Sequence, residues 1–209
     1  MHDSVSPKNI IRNKKKGIFF WITGFSGSGK TAIANKIKPE ISKFYGPTIL
    51  INGDNLRKIF NFKKYSNNAR YKNGLMFSKL CKFITNQRIN VIFATVGLLD
   101  KLRQQNRQNI ENYVEIYIKS DLEKIIKIGK KKIYKKYNNN IVGKDILAEM
   151  PKYPDIILDN KFDKSLNKLS IQLIKKIKNE KKNYQKKSLC WFFCRYFAQR
   201  SYQYLKDCK

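Results

Sequence analysis

The chain has 209 residues, 42% of them hydrophobic, which suits one domain with a proper core and excludes a disordered tail. Its formal net charge is +30, but the lysines run through almost every segment and form no single stripe, so composition explains the charge better than a nucleic-acid footprint. The cysteines, Cys81, Cys190, Cys194 and Cys208, have no zinc spacing, and the longest apolar run, near "VIFATVGLL", is too short to span a bilayer.

In chain order, residues 1–16 read as a basic leader without the apolar centre of a signal peptide, so a cytoplasmic protein is expected. "GIFFWIT" is a buried strand: a short apolar run with aromatics and no helical period. A glycine-rich loop follows, then the helix "KTAIANKI", which Pro39 is expected to interrupt. "PTILI" is a second strand, ending in "NGDN". Ser66 is placed to cap a long helix, "NNARYKNGLMFSKLCKFITNQ", and "INVIFATV" forms a third strand. A helix around "KLRQQNRQNI" leads to the strand "YVEIYIK", and Ser120 with Glu123 suggests a capping box for the helix after it. Residues 129–150 are polar and lysine-rich, and "PDIILD" is a fifth strand. Leu166, Leu169, Leu173, Ile174 and Ile177 then mark one face of a helix.

Strands alternating with helices imply a three-layer α/β domain around a parallel sheet, with ligands at the carboxyl ends of the strands. The expected divisions are a leader at 1–16, an α/β domain at 17–182 and an aromatic, basic extension at 183–209. Within that extension Cys190 and Cys194 would share a helical face. Its Trp191, Tyr196 and Phe197 leave contact with a membrane surface open, although packing on the domain is favoured.

Gly24, Gly29, Lys30 and Thr31 satisfy G-x-x-x-x-G-K-[ST] between a strand and a helix. Gly24, Gly27 and Gly29 let the backbone of the loop, with Ser26 and Ser28 between them, turn its amides inward onto phosphate. The helix behind adds the positive end of its dipole. Lys30 is expected to reach the β- and γ-phosphates of a nucleoside triphosphate, and the Thr31 hydroxyl to ligate Mg²⁺.

The stretches "WITGFSGSGKTAIA", "INGDNLR", "YSNNARYKN" and "IYKK…VGKDILAEMPKYPDIILDN" occur in that order. Together they resemble the adenylylsulfate kinase family of P-loop kinases, which also includes cytidine diphosphoramidate kinase. The resemblance implies transfer of the γ-phosphate of MgATP to the ribose 3′-hydroxyl of a small nucleotide. It implies a P-loop fold with a lid. It also implies that Asp54 lies beside the acceptor hydroxyl and Mg²⁺, as base or orienting group, and that Arg57 grips the anionic acceptor. Tyr65 stands where the family stacks a phenylalanine on the acceptor base, and Arg70 and Asn73, three residues apart on one helix face, match its acceptor-binding pair. Lys135 and Lys136 fall in the lid.

Several positions depart from the family pattern. Asn52 replaces the first acid of "DGDN", Ala69 replaces an Asp, and Ile128 and Gly129 replace an Arg-Asp pair whose Arg covers the ATP base. Ile141 stands where a second aromatic stacks on the acceptor, and the lid is shorter. The motifs place adenosine 5′-phosphosulfate first as acceptor and cytidine diphosphoramidate second. A decayed kinase that binds nucleotide or nucleic acid is the reading from another class. A homodimer is left open, and nucleic acid is not the expected partner.

Overall fold

A computed structural model describes residue 13, residues 15–128 and residues 140–179. Most of the leader, Gly129, Lys135, Lys136 and the extension at 183–209 lie outside the described residues.

Strand β1 (Phe19–Thr23) is buried along its whole length and forms the centre of a five-stranded sheet. Its neighbours are β3 (Asn90–Ala94) and β4 (Tyr113–Lys119), with β2 (Thr48–Asn52) and β5 (Ile156–Asp159) at the edges, in the order β2-β3-β1-β4-β5. Every pairing is parallel, with Phe19 opposite both Val91 and Tyr113. The strands therefore end together, at Thr23, Asn52 and Ala94.

Successive side chains of a strand point to opposite faces, and the sheet uses both. Phe20 and Ile22 pack with Ile33, Ile37 and Ile41 of helix α1 (Lys30–Tyr45) and with Leu169 and Leu173 of helix α6 (residues 166–179). Phe19 and Trp21 face the other way, onto Leu56 of α2 (Gly53–Ile59), Phe77 and Cys81 of α3 (Asn67–Asn86), and Leu102 of α4 (Asp100–Asn109). Each such side chain contributes about 1.5–3 kcal/mol when taken fully from water. A third cluster, with Phe25, Leu98, Tyr117 and Ile141, covers the region beyond the strand ends.

The five expected strands are all present, and Ser66 caps α3 by accepting from the Ala69 amide at 3.4 Å. Two local expectations need correction. Helix α1 runs through Pro39 without ending. Pro39 and Asn35, whose carbonyl loses its helical donor, are both exposed, so that carbonyl stays open to solvent while Ile37 and Ile41 keep the apolar face buried. Helix α5 (Leu122–Ile128) is capped by Asp121, not Ser120: the Asp121 carboxylate accepts from the amides of Glu123 and Lys124 at 2.8 and 3.3 Å. The Ser120 hydroxyl is instead buried without a hydrogen-bond partner.

An ionic network ties α4 to the strands. Glu115, 4% exposed, pairs with Arg103 at 3.1 Å and Arg107 at 3.0 Å, and Arg107 reaches Asp155 at 2.9 Å. Burial raises the Glu115 pKa despite both guanidinium groups. Among the described residues no helix is long and apolar enough to cross a membrane.

Candidate active site

At the end of β1 the chain turns at Gly24, where φ is 147° and an added Cβ would stand 2.6 Å from the Ile118 carbonyl oxygen. No other residue fits that approach. The loop closes at Gly29, whose φ of 89° is left-handed and which caps α1 without any side-chain acceptor. The first amides of α1 therefore face the loop with no protein oxygen from the cap, the arrangement that receives an anion. Lys30 is 8% exposed and donates to the Phe25 carbonyl at 2.6 Å, folding its ammonium group across the loop. Ser26, Gly27, Gly29, Lys30 and Thr31 line a cleft of about 880 Å³. Ser28 is fully buried beneath it.

On one side of the loop, Asn52 joins the phosphate-loop threonine to the segment carrying Asp54. Its side-chain amide donates to the Thr31 hydroxyl at 2.9 Å, and its carbonyl oxygen accepts from the Asp54 amide at 2.8 Å. Asp54 is exposed and lines the same cleft. A hydroxyl and a carboxylate are the hard oxygen donors that Mg²⁺ accepts, and Thr31 retains a second lone pair after accepting from Asn52. Among the described residues no group of three or more His, Cys, Asp or Glu could hold a metal, so an ion here would draw its other ligands from phosphate and water. The donor set fits Mg²⁺ bound with nucleotide.

Arg57, Tyr65 and Arg70, expected from the sequence to bind the acceptor, line the same cleft. Arg57 lies over the Tyr65 ring, with its guanidinium carbon 4.0 Å from the ring centroid, and donates to the carbonyls of Phe62 at 3.2 Å and Lys64 at 2.6 Å. Arg70 also approaches that ring, at 5.4 Å, and donates to the carbonyls of Tyr65 at 2.8 Å and Asn140 at 2.7 Å. Burial, and Arg57 beside it, lower the pKa of Arg70. Two guanidinium groups crowd one phenol ring, and an anion between them would relieve both.

Arg57, Tyr65 and Arg70 line the main cleft together with Asp54 and Ile141. Asn73 lines an adjoining recess of about 80 Å³ that Arg57, Tyr65 and Arg70 share. Ile141 is only 4% exposed and belongs to the third core cluster, so it supplies wall and not a free flat surface. Ile128, in the position of the family's base-covering Arg, ends α5 and is 41% exposed.

Sequence reading missed several cleft residues. Lys58, Asn61 and Lys63 line it, hidden in a chain where lysine is common everywhere. Thr95 and Val96 line it as well. They directly follow β3, and the rule that ligands gather at carboxyl ends of parallel strands was the signal for them.

A model of the adenylylsulphate kinase family matches residues 16–159. The cytidine diphosphoramidate kinase of Campylobacter jejuni is 32% identical over 168 residues, covering 78% of this chain and 98% of the relative. A probable adenylyl-sulfate kinase of Bacillus subtilis is 33% identical over 156 residues, covering 71% of this chain and 79% of its own. Among solved structures, the Mycobacterium tuberculosis APS kinase in complex with AMPPNP and APS superposes with a TM-score of 0.69 at 24% identity, covering 78% of this chain and 98% of that one. The last likeness shows the fold alone. The chain belongs to the adenylylsulphate kinase family.

Proposed function

We propose that this protein transfers the γ-phosphate of ATP to the ribose 3′-hydroxyl of cytidine diphosphoramidate. One observation carries the reading: a single cleft is lined by Lys30 and Thr31, by Arg57, Tyr65 and Arg70, and by Asp54. A phosphate donor and an anionic acceptor can meet there across one carboxylate.

In this mechanism the loop amides and Lys30 hold the β- and γ-phosphates, and Arg57 and Arg70 hold the anionic 5′ tail of the acceptor. Asp54 takes the proton of the 3′-hydroxyl as the bond from that oxygen to phosphorus forms and the bond to the ADP oxygen breaks. Bound Mg²⁺, held by Thr31 and Asp54, would offset charge on the phosphate oxygens. Most of the rate enhancement comes from position and charge, since phosphoryl transfer leaves the protein little covalent chemistry to do. Lys135 and Lys136, outside the described residues, are proposed to lie over the phosphates from a lid. Residues 17–182 are proposed as the kinase unit, acting in the cytoplasm.

Two observations support the cytidine acceptor. The likeness to the Campylobacter enzyme spans nearly all of that relative, at 98%. Ile141, buried in the cleft wall, offers no second aromatic face, which suits a smaller base. Adenosine 5′-phosphosulfate is the second reading, favoured by the Bacillus likeness.

ADP release with each acceptor in parallel tests the choice. The expected result is a kcat/KM for cytidine diphosphoramidate at least about tenfold above that for adenylylsulfate, a difference of roughly 1.4 kcal/mol. The reverse order selects the second reading. Turnover of neither, with nucleotide binding intact, overturns the kinase assignment in favour of a binding protein.

A further inference from the structure

Asn160 follows β5 at its carboxyl end and is 5% exposed. Its side-chain amide donates to the carbonyl of Ser28, inside the phosphate loop, at 3.1 Å. Its side-chain oxygen accepts from the Phe162 amide at 3.0 Å. A backbone N–H can only donate, so this second bond fixes which end of the Asn160 amide faces Ser28. The Asn160 backbone is itself held by a bond from its amide to the Lys119 carbonyl at 2.8 Å, which extends the β4–β5 pairing. Phe162 adopts a left-handed φ of 63° and packs its ring against the third core cluster. The donor is thus anchored from both sides.

The consequence lies in the next peptide. Among the described residues no peptide bond is cis, and across a trans peptide the carbonyl and the following N–H point in opposite directions. Drawing the Ser28 oxygen toward β5 turns the Gly29 N–H away from it, toward the inside of the loop. Gly29 has φ 89°, a conformation that glycine enters and leaves easily, so its own chain does not hold that orientation. An added Cβ at Gly29 would meet the Asn160 amide nitrogen at 3.5 Å, which places Asn160 directly behind the loop.

We infer that Asn160 is a positioning residue for the phosphate loop: it fixes the Ser28–Gly29 peptide so that the Gly29 amide is already aimed at bound phosphate. The inference rests on the proposed reading of the loop as a triphosphate site. Asn160 is not among the residues that line the cleft, and it acts through the loop. Its contribution is preorganisation, which lowers the ordering cost of binding.

Equilibrium binding of ADP, of inorganic tripolyphosphate and of the nucleotide acceptor alone, to wild type, Asn160→Ala and Asn160→Asp, tests this. Asn160→Asp keeps the shape and the bond from Phe162 but turns an acceptor toward the Ser28 carbonyl; Asn160→Ala adds no charge. Both variants should bind ADP and tripolyphosphate about tenfold more weakly, with acceptor affinity within twofold of wild type. Tripolyphosphate lacks a base, so an equal loss on both ligands locates the effect at the phosphate cradle. Four outcomes would overturn the proposal: unchanged tripolyphosphate affinity in Asn160→Ala, loss on ADP only, weakening in Asn160→Asp alone, or equal loss of acceptor binding, which marks a merely structural residue. If Asn160→Ala does not fold, the uncharged Asn160→Ser, which keeps an oxygen near the Phe162 amide, takes its place in the same comparison. A wild-type protein that binds neither ADP nor tripolyphosphate refutes the triphosphate reading itself, a result distinguishable from all of these.

Discussion

Asn52 donates to the hydroxyl oxygen of Thr31 at 2.9 Å. The direction of that bond is fixed, because the other end of the Asn52 side chain accepts from the Asp54 amide at 2.8 Å. Asn52 therefore couples the phosphate-loop threonine to the helix that carries Asp54 while adding no negative charge. A carboxylate at the same position would accept from both.

Asn52→Asp should tighten Mg²⁺ binding to the ADP complex. One more negative charge a few ångströms from a divalent ion at Thr31 and Asp54 is worth roughly 2 kcal/mol at high dielectric, about thirtyfold in affinity. Titration with Mn²⁺, followed by paramagnetic relaxation of water, reads this directly. Unchanged or weaker binding would count against a cation at Thr31 and Asp54.

Lys30→Ala removes a buried cation that lies across the loop. Turnover should fall by about 10²–10³, in line with loss of one preorganised group that stabilises transition-state charge. Asp54→Ala should fall comparably, with ADP affinity largely kept. Single-turnover rates at saturating ATP and acceptor separate chemistry from binding. Full activity in Asp54→Ala would remove it from the proposed role.

Arg57→Lys should raise the acceptor KM by about tenfold or more and leave the KM for ATP within twofold. A lysine cannot both donate to two carbonyls and lie flat over Tyr65, so the wall that holds Arg70 would loosen as well. Initial rates with each substrate varied in turn provide the check. Equal rises in both KM values would indicate general damage to the cleft.

Local chemistry made the phosphate loop legible from the sequence. Its glycines, lysine and threonine have fixed spacing, and the strand before and helix after are separately readable. The strands were legible because a sheet buried on both faces needs continuous apolar runs. Pro39 misled, since a helix with a strong buried face tolerates one missing bond on its wet side. Ser120 misled because Asp121, next in the chain, is the better acceptor for the same amides. Asn160 was invisible as a working residue: its partner Ser28 lies 132 positions away, and only the parallel closure of β5 beside β4 brings them together. The stacking of Arg57 on Tyr65 was equally hidden, because it depends on how residues 60–65 turn back on the helix.

Glu115→Ala should destabilise the fold by about 3–5 kcal/mol, since it leaves the guanidinium of Arg103, 2% exposed, without its main buried partner. The urea midpoint measures this. A loss below about 1 kcal/mol would mean that Asp100, 3.1 Å from Arg103, already satisfies it.

The most direct test of the kinase assignment follows the phosphate. With γ-labelled ATP, Mg²⁺ and cytidine diphosphoramidate, the label should appear in a new nucleotide and be released by a 3′-specific nucleotidase. The matching 3′-deoxy acceptor should take up none. Label found only as free phosphate, or transferred equally to the 3′-deoxy acceptor, would contradict transfer to the ribose 3′-hydroxyl.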